Sequence, residues 1–329
     1  MEEGFRLWAN PSSPHAEGRK ARAALEDARE RIKAALGWDG ELIFTSGASE
    51  SAERVFDYCD VLFKFASAVE HDAIHHQTGF AECEEIPMSS SGAPDIPWLR
   101  KHMPEERKGH FQPARSLVAV QQVNSETGTV QDSSDIFALT KGRGGYLLSD
   151  CSQSVGKLAL PDSDMALFSA HKFGGPIGIG ALLLRDFNLL KASGGHERGY
   201  RRGTENLPGV LGMATALEAR EWQTSASDRA AFAERVFANR VTIGDQVDYI
   251  FALTHPTLSA QALLIRLDAM GFAVSAGSAC SSGTLKKSRV LEAFGVPDDV
   301  AARTIRVSLG WSTTPEELER FAEAWASLC

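Results

Sequence analysis

The chain has 329 residues, of which 43% are hydrophobic and 23% charged, as is typical of a globular protein with a substantial core. Its formal net charge of -9 argues against nucleic acid as the main partner, because phosphate binding needs a basic surface. The sequence contains no run of 18 or more apolar residues, so no membrane span is predicted. Its acidic N-terminus does not resemble a secretory signal.

The chain has five cysteines, Cys59, Cys83, Cys151, Cys280 and Cys329, which are scattered and form no C-x-x-C pair. This pattern predicts neither a disulfide framework nor a zinc site, so no metal is expected. It fits a protein of the reducing cytoplasm. In that compartment, a single cysteine within a polar segment rich in glycine and serine is a candidate reactive thiol.

The N-terminal two thirds of the chain alternate between helices and strands. A helix is predicted over 18–36, a strand over 41–45 and a second helix from about residue 49. Further strands are predicted over 65–69, 117–123, 146–149, 165–169 and 179–184, with a helix over 134–141. Such alternation predicts an α/β domain with a mostly parallel sheet.

The C-terminal third is predicted to be a smaller α+β domain. Helices are predicted over 210–221 and 228–239, followed by strands over 249–253, 273–275 and 304–308 and helices over 259–270, 287–293 and 315–327. We therefore predict a large domain over residues 1–225 and a small domain over residues 226–329.

Three segments at strand ends carry candidate chemistry. Gly47 lies between a strand and a helix, where free N–H groups can bind a phosphate, although an ordinary capped turn has the same pattern. Lys172 follows the strand over 165–169 in a Gly-rich turn, where a desolvated lysine can form a Schiff base with an aldehyde. Asp150 ends another apolar strand, and a buried carboxylate there needs a cationic partner such as a pyridinium nitrogen. Each of the latter two could instead be an ordinary surface lysine or turn aspartate.

Cys280 lies in a fourth segment, Gly-Ser-Ala-Cys-Ser-Ser-Gly over residues 277–283. Most free cysteines are buried and inert. Since all of its neighbours are small or flexible, Cys280 is instead predicted to be an exposed nucleophile on a mobile loop.

Taken together and in this order, these segments resemble the cysteine desulfurase family of fold-type I pyridoxal-phosphate enzymes. The resemblance runs from Asn10 to about Leu328. Its further landmarks are the segments 10–13, 70–71, 123–128, 194–204 and 306–310. The resemblance implies a large domain of the pyridoxal-phosphate transferase type and a smaller α+β domain that carries the cysteine loop.

The resemblance also implies a role for each matching residue. Lys172 would bind pyridoxal 5'-phosphate covalently and move protons, and Asp150 would pair with the pyridine nitrogen. Arg306 and Asn10 would line the substrate site, with Arg306 on the carboxylate. The remaining implied cofactor contacts are His71 on the ring, Gln153, Asn124 and Ser125 near the phenolic oxygen, and Ala48, Ser49, Ser169 and His171 at the phosphate.

The implied reaction converts L-cysteine to L-alanine and leaves a persulfide on Cys280 for a protein sulfur acceptor. His71 would serve as an acid–base group beside Lys172. The enzyme would be a homodimer in which Thr204 reaches the phosphate of the other subunit. The acceptor stays open among iron–sulfur cluster assembly, tRNA thiolation and cofactor biosynthesis. The segment over residues 277–288 has the longer form of family members with a mobile cysteine, which favours direct transfer of the persulfide sulfur to the acceptor.

The chain departs from the family pattern at several positions. Met1 to Ala9 do not match the family segment that lines the substrate site, Ser125 replaces an asparagine, and Glu53 replaces an asparagine of the phosphate-loop helix. Three alternatives therefore stay open: a selenocysteine lyase, a small class V aminotransferase, and a catalytically weak partner subunit of a complete desulfurase.

Overall fold

A computed structural model describes residues 1–80, 83–105, 115–276 and 287–329. The chain divides into two compact units. The first comprises Met1–Ile86, Ile96–Gln122 and Asp132–Arg220, and the second comprises Pro87–Asp95, Val123–Gln131 and Glu221–Cys329. The sequence predicts two continuous domains, 1–225 and 226–329. In the structure, two short segments from within the first of these ranges, Pro87–Asp95 and Val123–Gln131, belong to the second unit.

The first unit is built on a sheet of seven strands in the described part of the chain. These are β1 (Glu41–Thr45), β2 (Phe63–Ser67), β3 (Cys83–Ile86), β4 (Ser116–Ala119), β5 (Tyr146–Asp150), β6 (Met165–Ser169) and β7 (Gly180–Leu184), in the order β1-β7-β6-β5-β4-β2-β3. β7 is antiparallel to its neighbours β1 and β6. The pairs β6–β5, β5–β4, β4–β2 and β2–β3 are parallel. β6 and β7 are buried along their whole length, as expected of central strands with apolar side chains on both faces.

Helices accompany this sheet. They are α1 (Glu2–Arg6), α2 (Ala16–Leu36), α3 (Ala48–Tyr58), α4 (Asp72–Phe80), α5 (Ile96–His102), α6 (Ser134–Gly142) and α7 (Leu207–Ala219). Short 3-10 turns cover Ala170–Phe173, Phe187–Leu189 and Glu197–Gly199. In α2, Leu25 and Ile32 lie on one buried face, the His15 side chain accepts the N–H of Gly18, and Gly37 ends the helix with a left-handed φ of 64°.

The second unit combines a small antiparallel sheet with helices. Its strands β8 (Ile250–Thr254), β9 (Ser275–Ala276) and β10 (Thr304–Ser308) lie in the order β8-β10-β9. Its helices are α8 (Ala226–Val236), α9 (Ala260–Ala269), α10 (Arg289–Ala293), α11 (Asp298–Ala301) and α12 (Pro315–Leu328), and a 3-10 turn covers Phe237–Asn239. Edge-to-face contacts of Phe232 with Phe251 and Phe321 lie in its core.

The structure confirms the predicted fold class, a mostly parallel α/β sheet with a smaller α+β unit. The strands predicted over 165–169 and 304–308 have the observed bounds, whereas the strand predicted over 117–123 ends at Ala119. The sequence prediction missed α4, β3 and α5, which lie between β2 and β4. Among the described helices, none combines the length and the apolar character that crossing a membrane requires.

Candidate active site

Several candidate residues of the first unit lie at one edge of its sheet. β1, β5 and β6 all end at this edge, since Thr45 and Ser169 both lie opposite Gly180 of β7 and β5 runs parallel to β6. Asp150 and Ser169 are the last residues of β5 and β6. In sheets of this type, ligands bind outside the carboxyl ends of the strands.

The start of α3 forms the part of this edge that is suited to an anion. Gly47 precedes the helix, and the backbone N–H of Ala48 donates to Oγ of Ser169 over 2.8 Å. A Cβ atom on Gly180 would lie 2.7 Å from Cα of Gly47, so position 180 needs a glycine for β7 to pass the turn. The Ala48 contact joins the turn after β1 to the end of β6, and the positive end of the α3 dipole faces out beside it.

Asp150 is a buried carboxylate at the centre of the edge. It is only 5% exposed, and its Oδ1 accepts the backbone N–H of Ser152 over 2.8 Å. Within the described residues, Asp150 has no ion pair, and the buried hydroxyl of Ser152 has no hydrogen-bond partner. A carboxylate that is buried with so few partners suits a bound cation.

Lys172 lies in the 3-10 turn Ala170–Phe173 that directly follows β6, and Gly174 closes this turn with a φ of 81°. His171 precedes Lys172. Burial lowers the pKa of His171, and the positive charges of Lys172 and His71 lower it further. The neutral form of His171 is therefore favoured, and its protonation is coupled to the charges of Lys172 and His71.

His71 follows β2 and is exposed. Its Nδ1 accepts the backbone N–H of Ala73 over 3.1 Å. Because Nδ1 acts as an acceptor, the neutral ring carries its proton on Nε2. The neutral ring is thus held in one tautomer.

The structure also shows a residue that the sequence prediction missed. Nζ of Lys157 donates to the main-chain oxygen of Lys172 over 3.2 Å and to that of Gln153 over 3.4 Å. Its spacing of four residues from Gln153 is visible in the sequence, but its contact with the turn after β6 depends on the pairing of β5 with β6.

Of the predicted residues that the structure describes, three belong to the second unit. Asn124 is buried, and its Oδ1 accepts the backbone N–H groups of Glu126 and Thr127 over 2.9 and 3.0 Å. This oxygen therefore shapes the turn that presents Ser125. The main-chain oxygen of Ser125 accepts from the guanidinium of Arg306 over 3.0 Å.

Arg306 lies on β10 and also donates to Oγ of Ser275 on β9 over 3.2 Å. Burial lowers the pKa of Arg306, and the carboxylate of Glu126 opposes that change. Oε2 of Glu126 accepts the hydroxyl of Ser288 over 2.6 Å. Ser275 precedes the segment 277–286 and Ser288 follows it. Arg306 therefore contacts a residue before this segment, and Glu126 contacts a residue after it.

The remaining predicted residues lie outside the strands and helices of the first unit or outside the described chain. Oδ1 of Asn10 accepts the N–H of Ser12 in a turn before α2. Thr204 is exposed on the first unit. Cys280, the predicted nucleophile, lies outside the described residues.

A mostly parallel sheet that brings a lysine, a buried carboxylate and an anion-binding helix start to one edge defines a class of enzymes that hold a phosphorylated aldehyde cofactor. The model of the aminotransferase class-V family matches residues 3–321. The chain belongs to this family. Pyridoxal phosphate is the cofactor of its members. The carboxylate of Asp150, which is buried and has no ion pair among the described residues, fits the protonated pyridine ring.

The similar proteins include named cysteine desulfurases. The chain is 31% identical to cysteine desulfurase IscS 1 of Archaeoglobus fulgidus, over 98% of this chain and 89% of that protein. It is 33% identical to a cysteine desulfurase of Cereibacter sphaeroides, over 96% of this chain and 87% of that protein. A solved NifS-like protein from Rickettsia africae has a TM-score of 0.84 and 26% identity, covering 99% of this chain and 94% of that one.

Proposed function

We propose that the protein is a pyridoxal-phosphate-dependent cysteine desulfurase. The observation that carries the proposal is the placement of Lys172 and the buried Asp150 at the ends of neighbouring strands, in a chain similar over almost its whole length to proteins named cysteine desulfurases. When bound, the cofactor supplies a ring that accepts electrons from the substrate's α-carbon.

The residues of the first unit would bind the cofactor and move protons. The carboxylate of Asp150 would hold the pyridine nitrogen in its charged form. The N-terminus of α3, with Ala48 and Ser49, would hold the phosphate together with Ser169 and His171, and Gln153 would donate to the phenolic oxygen. The amine of Lys172 would bind the aldehyde and then take the proton from the α-carbon of L-cysteine. His71, with its proton on Nε2, would cover the ring and supply a second proton-transfer group.

The residues of the second unit would hold the substrate and take its sulfur. Arg306 would bind the carboxylate of L-cysteine. Asn10, a residue of the first unit, would also line the substrate, and the Asn124–Ser125 turn would lie near the phenolic oxygen of the cofactor. The thiolate of Cys280 would attack the sulfur of the bound substrate, the bond between sulfur and the β-carbon would break, and that carbon would gain a proton. L-cysteine and the thiol of Cys280 are thereby converted to L-alanine and a persulfide, with no external oxidant or reductant.

The deciding experiment measures alanine and sulfide released from L-cysteine in the presence of a thiol reductant, together with the visible absorbance of the bound cofactor. We expect the wild type to turn over, Lys172→Ala to be inactive, and Cys280→Ala to be inactive while it keeps the cofactor band. Cys329→Ala is the matched control, since Cys329 is an exposed cysteine distant in sequence from the proposed nucleophile. It should keep full activity.

Three other results would redirect the proposal. Turnover of selenocysteine that survives the loss of Cys280 would indicate a selenocysteine lyase. A cofactor band with transamination but no sulfur release would indicate a small aminotransferase. A colourless, inactive protein would indicate a partner subunit of a complete desulfurase.

We further propose that the protein is a cytoplasmic homodimer that passes its persulfide to an acceptor protein. The exposure of Thr204, and of the large apolar side chains Phe5, Trp8 and Ile177 of the first unit, supports a covering subunit. Sedimentation should give twice the chain mass of 35.6 kDa.

Mixing subunits tests the role of Thr204 across the dimer. If Thr204 completes the site of the other subunit, equal amounts of Thr204→Ala and Lys172→Ala chains should regain about a quarter of the wild-type activity after exchange, because half of the dimers then hold one native site. No gain above the average of the two separate variants would contradict this role.

A further inference from the structure

The loop after β5 brings the side chain of Lys157 to the turn that carries Lys172. Backbone N–H groups of Ser154 and Val155 donate to the oxygen of Cys151, and those of Lys157 and Leu158 donate to the oxygen of Ser154. These bonds form successive helical turns. Gln153 and Lys157 therefore lie four residues apart, on the same side of the loop.

Lys157 joins this loop to its neighbour. Its Nζ contacts the main-chain oxygen of Gln153 at 3.4 Å within its own loop and that of Lys172 at 3.2 Å in the turn after β6. Its side chain is half-buried. One ammonium group thus bridges the main chain of the lysine proposed to bind the aldehyde and that of the glutamine proposed to contact the phenolic oxygen.

Lys157 and Lys172 are also coupled by charge. Burial lowers the pKa of Lys157, and the positive charge of Lys172 contributes further, giving a value of about 8. Repulsion between two like charges acts equally on both, so a protonated Lys157 disfavours a proton on Lys172. Further ionisable groups on the packed elements are His171, which is affected by both Lys172 and His71, the Asp150 carboxylate on β5, and the buried thiol of Cys151 at the start of the loop.

We propose that Lys157 is a positioning residue for the desulfurase reaction: its ammonium group fixes the main chain of Lys172 against that of Gln153, and its charge favours the form of the Lys172 nitrogen without a proton. That form is the one that attacks an aldehyde. The inference rests on the proposed function, because it assumes that Lys172 binds the cofactor.

The test follows the visible absorbance of the holoenzyme from about pH 6 to about pH 10, a range that spans the titration of a perturbed amine. We expect the midpoint of the absorbance change to rise by roughly one pH unit in Lys157→Met, which removes the charge and the donors but keeps the chain length. Lys157→Arg should restore the midpoint to within about a third of that shift, because it keeps the charge. Lys191→Met is the matched control, a surface lysine paired with Asp60, and should titrate like the wild type.

The readout separates this inference from the proposed function. If the wild type shows no visible band, the proposed function fails. If the band is present and Lys157→Met titrates like the wild type, Lys157 does not act on Lys172 and the inference is overturned. A midpoint in Lys157→Arg equal to that in Lys157→Met would overturn it as well. Should Lys157→Met fail to fold, Lys157→Gln replaces it in the same measurement.

Discussion

Asp150 illustrates how burial prepares a side chain for a ligand. It is almost fully buried, yet it accepts only one hydrogen bond from the described residues, the N–H of Ser152. Asp164, one strand away, is equally buried but is bonded to the ammonium of Lys141 and to the N–H of Leu147. Asp164 is therefore a structural carboxylate, and the contrast supports our proposal that Asp150 pairs with a cationic group of the cofactor.

Asp150→Asn should retain the cofactor and lose alanine formation by about 100-fold to 1000-fold, the usual cost of removing one preorganised electrostatic partner. The measurement is turnover of L-cysteine per bound cofactor. Asp164→Asn is the control, and it should reduce thermal stability without reducing turnover per bound cofactor. Equal turnover in Asp150→Asn and the wild type would exclude the proposed pyridinium partner.

The lowered pKa of Lys157 also has a consequence for stability. In the folded chain the pKa is about 8, against about 10.4 in an unfolded chain, so between these values the unfolded state binds more protons. The cost of burying the charged ammonium therefore lowers the free energy of unfolding in full below pH 8, and this cost is relieved as the pH rises. The cofactor-free wild type should gain about 3 kcal/mol in the free energy of unfolding relative to Lys157→Met between about pH 8 and about pH 10.5. Urea unfolding at several pH values measures this difference, and a constant difference would contradict the burial of the charge.

At the scale of secondary structure, a buried ion pair ties α2 to the segment that ends in Thr204. The guanidinium of Arg29 donates to both carboxylate oxygens of Glu197 over 2.8 and 3.1 Å, and Glu197 also accepts the N–H of Phe44 on β1. Burial alone would lower the pKa of Arg29, but its bonds to Glu197 raise it. Glu197 and Arg198 have positive φ values of 46° and 57°, so this pair holds a strained turn.

Breaking this pair should be costly. Arg29→Met leaves the carboxylate of Glu197 buried without its cation, and we expect a loss of about 3 to 5 kcal/mol in the free energy of unfolding. Arg31→Met, two residues along the same helix, breaks the exposed pair with Glu218 and should cost no more than about 1 kcal/mol. Denaturant unfolding measures both variants. Similar losses in the two would show that burial does not decide the strength of the Arg29 pair.

Arg306 connects β10 to β9 and to the turn at Ser125 through two separate bonds. Arg306→Lys keeps the charge but cannot bind a carboxylate through two parallel bonds, so KM for L-cysteine should rise by about 10-fold to 100-fold with a smaller change in kcat. Arg303→Lys is the control, because Arg303 bonds to Asp299 and Pro256 at the surface. A kcat effect without a change in KM would argue against a role for Arg306 in binding the carboxylate.

At the scale of the whole molecule, the cofactor would join residues that follow several strands of the first unit. A ligand that binds only the folded state stabilises it by about 2.7 kcal/mol when it is present at 100 times its Kd. Removal of the cofactor with a carbonyl reagent should therefore lower the melting temperature, and added pyridoxal phosphate should restore it. Lys172→Ala should show a smaller increase under the same conditions. Melting temperatures that do not depend on the cofactor would contradict its binding at this sheet edge.

The sequence alone determined the fold class and the chemical candidates at the strand ends. Central strands such as β6 could be placed within the chain because they are apolar throughout, and α12 because Thr314 and Glu317 form a capping box. Lys172 and Asp150 could be singled out because each follows such a strand. β3 was missed because Cys-Glu-Glu-Ile has no clear strand pattern, and it becomes an edge strand by pairing with β2.

Only the tertiary structure decided how these residues are partnered. Asn124 follows β4 closely in sequence, yet it belongs to the second unit, and its side-chain oxygen is used within its own turn. The bonds of Lys157 to Lys172 and of Arg29 to Glu197 join residues brought together by strand pairing and helix packing. Local patterns report which residues prefer a helix, a strand or a turn, but burial and charge pairing depend on neighbours distant in the chain. Those neighbours decide which lysine and which carboxylate can serve a ligand.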